Sequence, residues 1–266
     1  MNKYTNLWLL LVSILSISHQ AIAGPYSEYI LTPASRTLLP ATVYNINGSV
    51  IHATSLTRPP GNATFKGASA VTYDCGKNIG GIVSFNVSTV KGTDEFIGIS
   101  FSESSLWINS EGCDATADAG IDEALWFKVS SGGKYAASKT HQRGGFRYLN
   151  VYHNTSGTVD LTGLSVYFTA LPQVAEADLR TYSGYFHCND EQLNRVWYAG
   201  AYTDQLCTIE PTAGDALVHL GVVNSTQTIP ASHPLTWYYN YTIASKSFNT
   251  DPWEILTRVR WFKCPR

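Results

Sequence analysis

The sequence has few charged residues and no strong excess of either sign. Asp, Glu, Lys and Arg make up 14% of the 266 residues, and the formal net charge is −2. Proteins that attract nucleic acid or acidic lipid electrostatically carry a basic face. The charge balance therefore argues against a nucleic-acid partner and against an electrostatic membrane-binding surface.

Several motifs of common enzyme and metal sites are also absent. The sequence contains no Cys-x-x-Cys pair, no Gly-x-Ser-x-Gly turn, no Walker phosphate loop and no paired His-Glu motif. Each of these motifs places reactive groups at a spacing that its chemistry requires. Their absence argues against zinc-binding, esterase, nucleotide-binding and zinc-protease functions, and no cofactor is expected.

Long apolar runs are missing except near the N-terminus. The run Leu7–Ile17 follows the positive charge of Lys3 and precedes the small-x-small sequence Ala21-Ile22-Ala23. It is shorter than the ~20 residues that span a bilayer. The pattern predicts a secretory signal peptide at 1–23, a mature chain from Gly24, an extracellular location and no membrane attachment after cleavage.

Potential glycosylation sites agree with secretion. Asn-x-Ser/Thr sequons become acceptors only in the secretory pathway, and they then mark surface positions. The mature chain has six of them, at Asn47, Asn62, Asn86, Asn154, Asn224 and Asn240. We expect most of them to be used.

The cysteine count is odd. The five cysteines are Cys75, Cys113, Cys188, Cys207 and Cys264. At least one must therefore be unpaired or pair between molecules. Spacing alone neither supports nor rejects a Cys75–Cys113 bridge. Cys207 lies on the face of a predicted helix that we expect to be buried, which favours a packed thiol.

The first half of the chain reads as a series of strands. Aromatic residues make up 12% of the sequence, and short segments that alternate apolar and polar residues are separated by Gly-, Asn- and Ser-rich turns. This pattern predicts a β-sandwich or jelly roll over 24–172. The residues expected to face its core are Val83, Phe85, Ile99, Phe101, Leu164, Val166 and Phe168.

The pattern changes after Pro172. Residues 173–178 have the composition of a linker, and Leu179–Phe186 is compatible with one more strand. A helix is predicted over Asp190–Leu206, with Asn189 as its N-cap and acidic residues in its first turn. One helix after a sandwich cannot bury its apolar stripe alone. We therefore expect the stripe Leu193, Val196 and Trp197 to lack partners and the chain to associate.

Several tracts, in one order along the chain, resemble the N-terminal part of fungal α-L-rhamnosidases of glycoside hydrolase family 78. The resemblance covers about Tyr26 to Thr242. The tracts are Tyr73–Gly81, Ser102–Trp107, Asp114–Gly120, Arg143–Leu149, Gly184–Asp190 and Asn194–Tyr202. Each tract is short, and the ordered set carries the resemblance.

The resemblance implies β-sandwich domains followed by an α/α six-hairpin toroid that releases terminal α-L-rhamnose with inversion. It implies a mainly β chain with a sandwich at 24–172, the beginning of the toroid at 173–243 and a divergent tail at 244–266. The implied partners are rhamnose-containing glycans or glycosides. In the family, the tract that corresponds to Trp237–Ile243 soon leads to an Asp-Gly-x-x-Arg-Asp-Arg type segment with active-site acids, and the sequence here does not match that segment.

Asp251 and Glu254 are the remaining candidates for an acid pair. Inverting hydrolysis needs an acid and a base ~6.5–9.5 Å apart across the sugar. The two residues are three apart after Pro252, so one helix face can carry both. The alternative, which we favour, is a solvated short helix that results from a broken or shifted reading frame, because nothing downstream in the sequence could enclose a sugar or raise a pKa by burial.

Other candidates are weighed in the same way. Trp237 and Tyr239 either offer flat aromatic faces to a sugar or belong to a core. A calcium site is less expected than a solvated loop for the acidic residues Asp114, Asp118, Asp122 and Glu123, which lack the EF-hand spacing. Three lone polar residues are expected to be structural: Asp74, Glu103 and His141.

Two hypotheses follow. The first is a secreted α-L-rhamnosidase-like glycosidase fragment that does not itself catalyse hydrolysis. The alternative is a secreted carbohydrate-binding β-sandwich that acts without catalysis. A product of a disrupted gene is a third possibility.

Overall fold

A computed structural model describes residues 25–110, 112–113 and 124–209. The predicted signal peptide at 1–23 and the predicted tail at 244–266 lie outside these residues. So do the candidates Asp251, Glu254, Trp237 and Tyr239 and the acidic loop 114–123.

The described chain is mainly β, as the alternating sequence pattern predicts. It contains one α-helix, α1 (Glu191–Leu206), and several short 3-10 turns. The strands of the described residues are β1 (Thr37–Leu38), β2 (Thr42–Ile51), β3 (Asn62–Lys91), β4 (Phe96–Ser102), β5 (Leu125–Lys128), β6 (Lys134–Ala136), β7 (Arg143–His153) and β8 (Thr158–Phe168).

Strand β3 runs through two layers of one continuous antiparallel sheet. The first half of its 30 residues lies between β2 and β7, and β4 and β5 extend this layer. Its second half lies between β8 and β6, with β1 on the outer side of β8. The first residues of β8 also pair with the start of β3, so the sheet curls round and joins its two layers.

The two layers share one apolar core. All seven residues that the alternating pattern predicts to be buried are at most 2% exposed. Phe85, from the second half of β3, packs edge-on against Phe127 of β5 with ring centres 5.2 Å apart. This contact crosses from one layer to the other. The period-two pattern therefore identified the core correctly.

Close approach between strands requires a glycine at position 81. Gly81 has φ +155°, and a Cβ at this position would lie 2.0 Å from the carbonyl oxygen of Tyr167. No larger residue fits without moving the backbone of β8. The residue thus permits the pairing of β3 with β8 just after β3 changes layer.

Two arginines hold the segment between the sandwich and α1. Buried Arg36 donates hydrogen bonds to the carbonyl oxygens of Phe168, Ala170, Leu171 and Val174 at 2.6–3.0 Å. Arg180 donates to the carbonyl oxygens of Ser27, Ile30 and Thr32. The linker predicted at 173–178 is therefore fixed to the sandwich by side-chain contacts.

The strand considered at Leu179–Phe186 does not form. Its polar groups are satisfied by other contacts, because Tyr182 donates from its hydroxyl to Oε1 of Gln205 at 2.8 Å. The backbone N–H groups of Leu179 and Thr181 donate within turns, to the carbonyl oxygens of Glu176 and Asp178, and not to a neighbouring strand. Alternation over a short segment was not enough to predict sheet pairing.

Helix α1 begins one residue later than the sequence predicts. Asp190, and not Asn189, is the N-cap, and its Oδ1 accepts from the backbone N–H groups of Gln192 and Leu193 at 2.9 and 3.2 Å. The carboxylate satisfies two N–H groups that have no partner inside the helix, and its negative charge is favourable at this end. The C-terminal bound at Leu206 is as predicted.

The helix face that packs on the protein consists of Asn194, Tyr198 and Tyr202, all at most 4% exposed. Leu193, Val196 and Trp197 are 53%, 59% and 36% exposed, and the ring of Trp197 stacks on Phe186 with centres 6.0 Å apart. Among the described residues, the stripe therefore lacks its full set of partners, as expected. The prediction that Cys207 is packed is wrong, because Cys207 is exposed. No helix of the described residues combines the length and the apolar character that a membrane crossing requires.

The exposed stripe is expected to cause self-association of the chain. Water-exposed apolar patches favour association, so we expect species larger than a monomer in sedimentation velocity. A Leu193→Glu/Val196→Glu double variant should shift the distribution towards monomer. Gln192→Glu, on the same helix but outside the stripe, controls for added charge and should leave the distribution unchanged. A monodisperse wild-type monomer would contradict the expectation.

Candidate functional site

One end of the sandwich brings together tracts that are far apart in the sequence. Asn78 comes from β3, Glu103 follows β4, and Gly145 lies near the start of β7. The amide Nδ2 of Asn78 donates to Oε1 of Glu103 at 3.3 Å. A Cβ on Gly145 would lie 3.1 Å from the same Glu103 oxygen. The missing side chain at Gly145 therefore leaves room for the carboxylate beside the amide.

A bulge in β3 places Asn78 at this end. Between Asp74 and Ile79 the register with β7 slips, because these six positions of β3 lie opposite only three positions of β7, Phe146 to Tyr148. Gly76 adopts φ +79° within the bulge, and its N–H donates to Oδ1 of Asp74 at 2.6 Å. Bulges redirect side chains at the ends of sheets. This one turns Asn78 towards Glu103.

Beside the bulge, Asp74 forms a two-pronged ion pair with Arg147. The Nε and Nη2 atoms of Arg147 donate to the two carboxylate oxygens of Asp74, each at 2.9 Å. These hydrogen bonds hold the pKa of Asp74 below its ordinary value despite partial burial. The expectation of a structural role for Asp74 agrees with this geometry, because an engaged and ionised carboxylate cannot donate a proton.

Helix α1 reaches the same end through Tyr202. The Tyr202 hydroxyl donates to the carbonyl oxygen of Asn78 at 2.7 Å. The ammonium of Lys77 lies 5.5 Å from the centre of the Tyr202 ring and also donates to the carbonyl oxygen of Leu31. The bulge is therefore covered on one side by the helix and the N-terminal segment.

The thiol within the bulge is not a nucleophile. Burial raises the pKa of Cys75 to about 12, and the negative charge of Asp74 adds to the effect. Reactive cysteines need the thiolate form at neutral pH. Cys75 and Cys113 both lie against the core, and no disulfide joins them.

The pKa shifts of the carboxyl groups indicate which of them are unsuited to act as an acid catalyst. Where the pKa of a described carboxyl departs from its ordinary value, it is lowered, and this applies to Asp74, Glu95, Glu176 and Glu191. The Ser35 hydroxyl lowers the pKa of Glu176, and the Tyr29 hydroxyl lowers that of Glu191. A glycosidase acid needs a raised pKa. None of these four carboxyls therefore has the raised pKa of such an acid.

His141 and four of the six sequon asparagines lie at the surface. His141 is exposed, with its Nδ1 2.7 Å from the hydroxyl of Ser138. Sequon residues Asn47, Asn62, Asn86 and Asn154 are all exposed, whereas Asn224 and Asn240 lie outside the described residues. Within the described ranges, no group of three or more His, Cys, Asp or Glu side chains is arranged to hold a metal ion.

Two exposed tryptophans were not singled out by the sequence. Trp107 is 65% exposed and ends the 3-10 turn Ser105–Trp107 that follows β4. Trp126, on β5, is 45% exposed and packs edge-on against Tyr152 of β7 with ring centres 5.0 Å apart. Such rings present flat apolar faces with a polar edge. The spacing of single tryptophans does not reveal their exposure, because exposure depends on how each turn and strand packs.

No protein-family model and no curated protein sequence matches this chain. Among solved structures, it is similar to a rhamnosidase from Klebsiella oxytoca with rhamnose bound, at 15% identity and a TM-score of 0.45 over 69% of this chain and 37% of that one. A family 78 rhamnosidase of Bacillus sp. GL1 gives 21% identity and a TM-score of 0.45 over 59% of this chain and 16% of that one. A carbohydrate-binding module from Clostridium stercorarium in complex with cellobiose gives 15% identity and a TM-score of 0.28, over 51% and 94%. The chain thus spans 37% and 16% of the two rhamnosidases.

Proposed function

We propose that this chain is the N-terminal part of a secreted α-L-rhamnosidase-like glycoside hydrolase and does not hydrolyse rhamnosides by itself. Its sandwich and first helix would support a sugar-binding site, and its partners would be rhamnose-containing glycans or glycosides. The reaction of the whole enzyme would be inverting hydrolysis of terminal α-L-rhamnose.

The convergence at the bulge carries this proposal. Four of the tracts that resemble family 78 contribute the contacts of Asn78, Glu103, Gly145 and Tyr202 at one end of the sandwich. These residues are spread over more than a hundred positions of sequence. The four tracts therefore share a structural role, because each of them contributes one residue to the same group of contacts.

The acid–base requirement explains why catalysis by this chain is not expected. Inverting hydrolysis needs one carboxylic acid and one carboxylate on opposite sides of the sugar. At the bulge, Asp74 is tied to Arg147 and has a lowered pKa. The sandwich therefore supplies hydrogen-bonding groups without a pair of carboxyls in two protonation states.

The purified chain is expected to release no nitrophenol above background from nitrophenyl α-L-rhamnoside. The measurement is absorbance over time, with an Asp251→Ala/Glu254→Ala double variant as the matched control. Equal background in both chains supports the proposal. Turnover by the wild-type chain that the double variant loses would contradict it and would identify those two residues as acid and base.

The exposed tryptophans favour a second candidate, a carbohydrate-binding sandwich that acts without catalysis. In this case Trp126 or Trp107 would stack on a sugar ring. Calorimetric titration with rhamnose-terminated oligosaccharides tests the idea, with Trp126→Ala and Trp107→Ala as variants and Tyr44→Ala as a control at another exposed aromatic residue. Binding that only the tryptophan variants lose would support the second candidate.

A further inference from the structure

A buried histidine and a buried glutamate meet where three turns of the sandwich come together. Glu95 precedes β4 and is 4% exposed, whereas His153 ends β7 and is 1% exposed. Nε2 of His153 lies 2.6 Å from Oε2 of Glu95. Buried charges are costly unless they are paired and hydrogen-bonded, so this contact needs a physical account.

Both ring nitrogens of His153 have polar partners. Its Nδ1 lies 2.8 Å from the carbonyl oxygen of Gly67, which can only accept a hydrogen bond, so this nitrogen donates. Its Nε2 lies 2.6 Å from Oε2 of Glu95 and 2.8 Å from the hydroxyl oxygen of Thr155. The ring is therefore held between the backbone at Gly67 and the carboxyl group of Glu95.

The carboxylate binds the next turn as well. Thr155 donates from its hydroxyl to Oε2 of Glu95, and the N–H of Gly157 donates to the same oxygen at 3.3 Å. A Cβ on Gly157 would lie 2.1 Å from Oε1 of Glu95, and one on Gly92 would lie 1.8 Å from it. Glycines in both turns thus allow the backbone to close over the carboxylate.

The other charged groups nearby do not compensate this pair. Asp94 and Lys128 bind each other at 2.6 Å in solvent, and Asp160 of β8 accepts from Thr64 at 2.5 Å. Lys66 and Lys91, which both pair in register with Thr158, are exposed. Burial raises the pKa of Glu95, but hydrogen bonds from Thr155 and His153 outweigh it, so that the net pKa is lowered.

We propose that Glu95, His153 and Thr155 form an acid-released latch, which fastens the β7–β8 turn to the β3–β4 turn and opens when Glu95 is protonated. A carboxyl with a lowered folded-state pKa stabilises the fold above its ordinary pKa of ~4.3. This stabilisation is lost as the pH falls through the lower folded-state value. The latch is thus closed at neutral pH and opens on the acid side of about pH 4.

Hydrogen–deuterium exchange of the full chain at pH 7 and pH 3 tests the latch. After correction for intrinsic rates, exchange in the peptide containing Gly157 should rise between pH 7 and pH 3 by up to about twentyfold, the limit that an ordinary carboxyl pKa of ~4.3 sets at pH 3. The peptide over 97–101 serves as a core reference and should change much less. Equal corrected protection of the Gly157 peptide at both pH values would overturn the proposal.

Two variants separate the latch from general acid effects. Glu95→Gln should exchange rapidly at Gly157 at both pH values, because the amide lacks the negative charge that strengthens the hydrogen bonds from Thr155 and Gly157. Asp94→Asn removes an exposed carboxylate of the same turn and should keep the wild-type pH dependence. Retention of that dependence by Glu95→Gln would contradict the latch. If Glu95→Gln does not fold, the comparison of wild-type exchange at pH 7 and pH 3 is by itself the test of the latch.

Discussion

Arg36→Met is expected to lower the free energy of unfolding by about 3–5 kcal/mol. The Arg36 guanidinium donates to four main-chain carbonyl oxygens, one at the last residue of β8 and three in the segment after it. Methionine keeps part of the side-chain volume but donates nothing. Buried carbonyls without a partner cost roughly 1–3 kcal/mol each, reduced where water can enter. Urea denaturation followed by tryptophan fluorescence measures the change.

Arg58→Met is the matched control for this experiment. Arg58 is exposed and lies after the 3-10 turn Ala53–Thr57. The same substitution there should change stability by no more than about 0.5 kcal/mol. Equal effects of the two substitutions would contradict the role assigned to Arg36, because loss of positive charge would then explain both.

Phe85→Ala is expected to cost a similar amount, about 3–5 kcal/mol. Phe85 is 1% exposed and contacts the rings of Phe127 and Tyr135 with centres 5.2 and 5.3 Å away. Removing its ring takes away the apolar burial and leaves a cavity between the layers. The cavity term adds to the transfer term because a close-packed core relaxes only in part.

Tyr167→Ala provides the comparison for Phe85→Ala. Tyr167 lies in β8 and is 51% exposed, so its truncation removes an aromatic ring without opening the core. We expect a change below about 1 kcal/mol for this variant. A Phe85→Ala effect as small as that of Tyr167→Ala would mean that the layers repack without the ring.

Sequence periodicity predicted the sandwich because burial alternates along the second half of β3 and along β8. Val83, Phe85 and Val87 face the core, while Ser84 and Asn86 between them do not. Counting apolar residues does not identify the buried face of α1, because that face consists of one amide and two hydroxyl-bearing side chains. Asn194 exchanges two hydrogen bonds with the backbone of Cys188, at 2.8 and 3.0 Å. These partners lie outside the helix, so the helix sequence alone does not predict which of its polar residues are buried.

The candidate site was only partly visible in the sequence. The tracts containing Asn78, Glu103 and Gly145 carry the family resemblance, so the sequence marked the correct segments. Their meeting depends on the bulge after Asp74, which shifts the register with β7. The number of residues in a bulge and the direction of the shifted side chains result from tertiary pairing, which local propensity does not determine.

The path of β3 through both layers also determines how early the sandwich can close during synthesis. Residues 158–162 of β8 pair with the beginning of β3 on one side and with its end on the other. The two layers therefore cannot join through β8, at either end of β3, before β8 has left the ribosome. Until then, the parts of β3 that pair with β8 lack these partners. Closure then depends on contacts distant in sequence, which are typical of slow folding. A chaperone that binds extended apolar strands would have its longest opportunity on this chain during that interval.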